Sequence, residues 1–80
     1  MTRLRVVHAV PDTLRADSVI TSTSLIPDQG VVAIDVSREL TPAADVIGSI
    51  SHRIALGTAP KEIIFVSADV HHLEQYKVYI

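Results

Sequence analysis

The 80-residue chain is 48% hydrophobic and 20% charged and contains no cysteine. It is too apolar to stay disordered, too short to build a second core, and unable to form disulfides or thiolate metal sites. Its formal charge of −2 is spread evenly along its length, which argues against nucleic-acid binding, because phosphate neutralisation needs clustered Lys and Arg.

Residues 1–80 therefore read as one small domain. No stretch approaches the roughly 20 apolar residues of a membrane span. At the N-terminus, His8 and the Pro11-Asp12 pair interrupt the apolar run well short of a signal-peptide core. The expectation is a cytoplasmic protein that binds neither membrane nor nucleic acid.

Residues 3–10 alternate with period two, which predicts a half-buried strand with Leu4, Val6, His8 and Val10 on one side. His8 then points to the core, where a neutral imidazole bonded to a backbone group is expected. Pro11-Asp12 ends the strand, and residues 12–18 read as a single helical turn or a loop. Residues 19–26 are dense in β-branched side chains, and 27–30 carry the turn residues Pro, Asp and Gly. Together they predict a hairpin into a strand at 31–36. The polar run Thr21-Ser22-Thr23-Ser24 lies on that hairpin, either as an edge open to strand addition or as an ordinary solvated strand.

A helix over 42–57 is the best-punctuated element. Thr41 suits the cap, Pro42 the first turn, Asp45 the positive end and Gly57 the stop. Ala43, Val46, Ile47, Ile50 and Ile54 form one apolar stripe; Asp45, Ser49, His52 and Leu56 lie opposite. The strand at 62–68 is apolar on both sides, as an inner strand should be, and 76–80 reads as a short final strand.

These elements give an α+β fold: a mixed sheet of four to five strands, with one long helix packed on one face and a βαβ unit over 31–68. A single helix leaves the other sheet face bare unless residues 12–18 cross it. A second copy or a larger protein partner is therefore expected to cover that face.

If the strands of the βαβ unit are parallel, their carboxyl ends deliver Asp35, Ser37 and Arg38 from one strand and Ser67, Asp69, His71 and His72 from the other to a single edge, where open α/β sheets bind ligands. Asp69 with His71 or His72 would supply an acid–base pair, and Asp35, Ser37 and Arg38 a polar subsite with Arg38 holding an anion. The plainer reading is a polar turn after a buried strand, with Asp69 capping the next segment. His8, Asp69 and one of the adjacent histidines are the only candidates for metal ligation, and their spacing matches no known metal motif, so neither metal nor cofactor is expected. Asp45, Ser49 and His52 name the members of a hydrolytic triad, but on a continuous helix no oxyanion hole stands beside them.

A buried strand ending near Asp35, a helix with Pro42 early in it, the stretch from Ile64 to Asp69 and the Tyr76-Lys77-Val78 ending resemble a thioredoxin-like βαβ segment. The Cys-x-x-Cys pair of that family is missing, so its redox chemistry and its site residues do not carry over. No glycine-rich phosphate motif is present. The functional expectation is a non-enzymatic interaction or accessory module that works by self-association or by binding a larger partner. The alternative is a small enzyme or ligand-binding domain with its site at the strand ends. A further expectation lets the apolar terminus at Tyr79-Ile80 continue a sheet in another chain.

Overall fold

The structure, a computed structural model, describes residues 1–57 and 59–80. Four strands form one sheet: β1 (Arg3–His8), β2 (Ser18–Ile20), β3 (Val31–Asp35) and β4 (Glu62–Ser67), in the order β1-β4-β3-β2. Helix α1 (Ala43–Ala55) connects β3 to β4, and helix α2 (Val70–Lys77) follows β4. The α+β class, the long helix and the βαβ unit stand as the sequence indicates. The sheet is not mixed, however, because every neighbouring pair of strands is parallel.

Helix α1 lies where its stripe places it. Ala43, Val46 and Ile50 are buried, Ile47 and Ile54 pack beside them, and Asp45, Ser49, His52 and Leu56 are exposed. Pro42 rather than Thr41 occupies the cap position, and no side chain bonds there; the Thr41 N–H is given to Glu39 Oε2 at 3.2 Å. The helix ends at Ala55, two residues before Gly57, whose φ of 142° an L side chain rarely adopts.

Two predicted elements differ. In place of the hairpin, β2 keeps only three residues and runs parallel to β3, joined by the connection 21–30. The Thr21–Ser24 run forms a turn, not an edge strand. The Thr21 N–H is given to Ser24 Oγ at 3.2 Å, so the hydroxyls satisfy the backbone locally and end the strand. Residues 76–80 are not a strand either. Asp69 Oδ1 accepts the His71 N–H at 2.9 Å and caps α2, and Leu73 and Tyr76, three apart, turn into the core.

One core layer holds Leu4, Val6, Val32, Ile34, Ile63 and Phe65 from the sheet against both helices and Ile26. Phe65 and Tyr76 stack with ring centroids 4.8 Å apart. By strand alternation, Ala33, Ile64 and Val66 face the other way, yet none is more than 1% exposed. The expectation that a second copy covers this face is therefore corrected: one chain buries it alone.

The cover is the connection 9–17, which carries the chain from the β1 edge to the β2 edge. With α1 behind the sheet, a right-handed crossover in the opposite direction passes in front. Pro11, Leu14 and Ala16 on this connection are half-buried, with a 3-10 turn at Pro11–Thr13. Its far end is fixed by Asp17, whose N–H is given to Val31 O at 2.8 Å and whose Oδ2 accepts the Val31 N–H at 2.7 Å. Gly30, at φ 79°, leaves room for that carboxylate, which a Cβ would overlap.

Candidate functional site

Parallel strands bring all four carboxyl ends to one edge of the sheet. Along it lie His8 at the end of β1, Ala68 to His72 after β4, Asp35 to Glu39 from the end of β3 and Thr21 to Thr23 after β2. The chain leaves β1 toward the front and β4 toward the back, so the crevice between these strands is the topological switch point, where open α/β sheets bind ligands.

Asp69 stands at this point with His72, whose Nδ1–H is given to Asp69 Oδ2 at 3.1 Å. The Asp69 N–H is given to buried Ser67 Oγ at 2.9 Å, and His8 Nε2–H to Ala68 O at 2.9 Å across the crevice. The His71 backbone N–H, and after it the His72 side chain, hold the Asp69 carboxyl below its ordinary range. With Nδ1 committed to Asp69, His72 Nε2 is the atom available as a base. The His71 ring is exposed and contributes only its backbone. His8 keeps its expected backbone partner, but it is exposed rather than in the core.

At the β3 end, Asp35 Oδ1 accepts both the N–H and the hydroxyl of Ser37, at 2.9 and 2.6 Å, which folds the loop back on itself. Asp35 and exposed Arg38 line a polar cleft with Thr21, Ser22, Thr23 and Glu39. The residues expected at the strand ends thus share one edge but divide between the switch point and this cleft. Among the described residues, no group of three or more His, Asp or Glu side chains is placed to hold a metal ion.

Three residues of the network behind this cleft were not anticipated from sequence. Arg53 gives Nη1–H to Ser24 O at 2.7 Å and Nη2–H to Ser22 O at 2.6 Å, clamping the 21–30 connection to α1. Ser22 Oγ in turn donates to Glu39, and this bond holds the Glu39 carboxyl below its ordinary range, helped by the Thr41 N–H and opposed by burial. The available signal was the position of Arg53 beside Ile50 and Ile54, at the border of the apolar stripe, where a cation buries its stem and spends its head on backbone. The Tyr76 hydroxyl, buried and without a partner among the described residues, is pushed up to about 12, by burial first and by the charge of Glu39 second.

A second surface lies along β1. The Arg3 N–H is given to Lys61 O and the Ala9 N–H to Ser67 O, both at 3.1 Å, so odd positions face β4 and the backbone groups of Leu4, Val6 and His8 face outward. β1 is an outer strand of the sheet, so no strand faces those outward groups, and no turn, loop or side-chain group among the described residues bonds to them. Arg3 and Arg5 reach back to Glu62 on β4, at 3.7 and 3.3 Å. Beside this edge, on the helical face, is an apolar groove of about 400 Å³ lined by Met1, Thr2, Leu4, Ile47, Ile54 and Phe65, among others.

No protein family, curated protein or solved structure matches the chain. Among the described residues, no helix is long and apolar enough to cross a membrane.

Proposed function

We propose that the chain is a protein-interaction module, working in the cytoplasm, that accepts an added strand on β1 and seats side chains of that strand in the adjoining groove. The observation that carries this reading is a six-residue edge strand whose outward N–H and C=O groups at Leu4, Val6 and His8 are unpaired among the described residues. Edge strands are commonly guarded by free charge, whereas Arg3 and Arg5, though exposed, are each paired with Glu62 on the neighbouring strand.

The test is a titration with a synthetic extended peptide of alternating Val and Thr, followed by amide NMR. Shifts concentrated on the Leu4, Val6 and His8 amides are expected, and Val6→Pro should abolish them. That substitution removes an outward donor and spares the pairing with β4. Unperturbed β1 amides at saturating peptide, in a chain that sediments as a monomer, would overturn the reading.

A second reading rests on the Asp69–His72 contact at the switch point. It makes the strand ends an acid–base or ligand site, with Arg38 and Asp35 in the neighbouring cleft holding a small anionic substrate. Screening phosphorylated and carboxylated small molecules by NMR tests it. Binding that is unchanged in an Asp69→Ala, His72→Ala, Arg38→Ala variant removes it.

A further inference from the structure

We infer that the strand added to β1 is the β1 of a second copy, paired antiparallel about a twofold axis through Val6. This rests on the strand-addition reading above and names its partner.

The register follows from the strand itself. For two copies to keep a common core face, odd positions must lie opposite odd ones, and even opposite even. In an antiparallel pair, residues that turn their N–H and C=O groups toward each other form the hydrogen-bonded positions, and here those are Leu4, Val6 and His8. An axis through Val6 sets Val6 opposite Val6 and Leu4 opposite His8 of the second copy, so every outward residue of both strands is used. On the front face it sets Arg5 opposite Val7 and Arg3 opposite Ala9.

The other symmetric registers fare worse. An axis through Arg5 puts Arg5 directly against its own copy, and an axis through Leu4 puts Arg3 against Arg5; like charges directly opposed destabilise a strand pair. An axis through Val7 or His8 overlaps only the last residues of β1 and carries the pairing into the 3-10 turn that begins at Pro11, where the chain leaves the strand.

The chosen register also suits the groove. Carried past the strand ends, it places Val10 of the second copy opposite Thr2, on the face where Thr2, Met1 and Leu4 line the groove. Val10 is 53% exposed in the single chain and lies in extended backbone at φ −71°, ψ 126°. An exposed apolar side chain from each copy thus meets the apolar mouth of the other, as the self-complementary surface of a twofold dimer requires.

The absence of cysteine makes the register directly readable. Single cysteines are placed in turn at Leu4, Arg5, Val6, Val7 and His8 of the full chain and oxidised. Folding of each variant is checked by circular dichroism. Opposed hydrogen-bonded residues stand about 5.5 Å apart between Cα atoms, inside the disulfide range of roughly 4.4 to 6.8 Å. The covalent dimer should therefore peak at Val6→Cys, a near-isosteric change. Leu4→Cys and His8→Cys fall roughly 13 Å from their own copies and should not cross-link. The unmodified chain should sediment as a dimer and melt higher as its concentration rises. A peak at another position, or a flat profile with a monomer in the centrifuge, overturns the inference. If the Val/Thr peptide still shifts the β1 amides in that case, strand addition stands and only the second copy is wrong; if neither occurs, both fall.

Discussion

Ile64 tests whether a single chain closes both faces of its own sheet. It points away from the helices, on the face that the 9–17 connection crosses, and is 1% exposed. Ile64→Ala removes three buried carbons at about 0.8 kcal/mol each, roughly 2.4 kcal/mol of transfer free energy before any cavity term. The cavity left under a connection held at its far end by Asp17 brings the expected loss to about 3 to 4 kcal/mol. Against a total of roughly 4 to 12 kcal/mol for a chain of this length, that is a large fraction. Ile64→Val should cost about 1 kcal/mol. Val19→Ala, on the same face but 48% exposed at the sheet edge, should cost a few tenths to about 1 kcal/mol. Urea unfolding followed by circular dichroism reads these as midpoint shifts, with a slope of about 1 kcal/mol/M for so small a protein. Runs at protein concentrations about a hundredfold apart separate intrachain burial from burial by a partner. A loss for Ile64→Ala below about 1 kcal/mol, or one that changes with concentration, would refute the argument that the connection covers this face.

Arg53→Lys keeps the charge but cannot reach both Ser22 O and Ser24 O; a loss of about 2 kcal/mol and faster amide exchange across residues 21–26 are expected, and unchanged exchange would show that the clamp is dispensable. Tyr76→Phe deletes a buried hydroxyl with no partner among the described residues and should be neutral or stabilising in the same urea assay; a clear loss would mean that the hydroxyl is bonded after all. Because the folded Tyr76 phenol is raised to about 12, its stabilisation is complete below the ordinary tyrosine value of about 10 and is lost as pH rises through 12. Wild type should therefore weaken over that interval while Tyr76→Phe does not. Asp69 has the opposite sign: its folded carboxyl is lowered, so its contribution is present above the ordinary carboxylate range and lost as pH falls through the folded value. Stability measured against pH should show wild type and Asp69→Asn converging in acid, and a pH-independent gap would contradict the assignment.

Much of this fold is legible wherever burial and periodicity agree. The α1 stripe, the two-sided apolar β4 and the alternation of β1 all appear at their expected positions because each buries its apolar residues against the same sheet. Strand direction was less legible. A Pro-Asp-Gln-Gly turn suggests a hairpin, whereas the 21–30 connection crosses the core face, buries Ile26 and is tied to α1 by Arg53, contacts that local sequence does not encode. Helix α2 was hidden by residue type, since Tyr76, Val78, Tyr79 and Ile80 favour strands, while the deciding signals were the Asp69 cap and the spacing of Leu73 and Tyr76. Asp35, Ser37, Arg38, Asp69, His71 and His72 lie at the expected edge because parallel pairing of β3 and β4 is enough to bring them there. Which of them share a cavity depends on the loops. Asp35 folds back on Ser37 and joins the cleft with Thr21 to Thr23, leaving Asp69 and His72 at the switch point.

The open features of the molecule gather along β1 for a topological reason. The connection after β1 spans the full width of the sheet to reach β2, so it closes the front face but adds nothing beside β1, which remains an edge. On the back, β1 depends on α2 for cover. Eight helical residues extend about 12 Å, whereas the six residues of β1 extend about 20 Å. The shorter helix cannot shelter the whole strand, and half-buried Leu4 near its start forms one wall of the groove, with Ile47 and Ile54 of α1 opposite. A longer α2 would cover the groove, and a further strand beyond β1 would remove the edge. Their coexistence on one flank, with the exposed arginines there paired to Glu62, is why a strand arriving at β1 satisfies backbone groups and apolar surface in the same step.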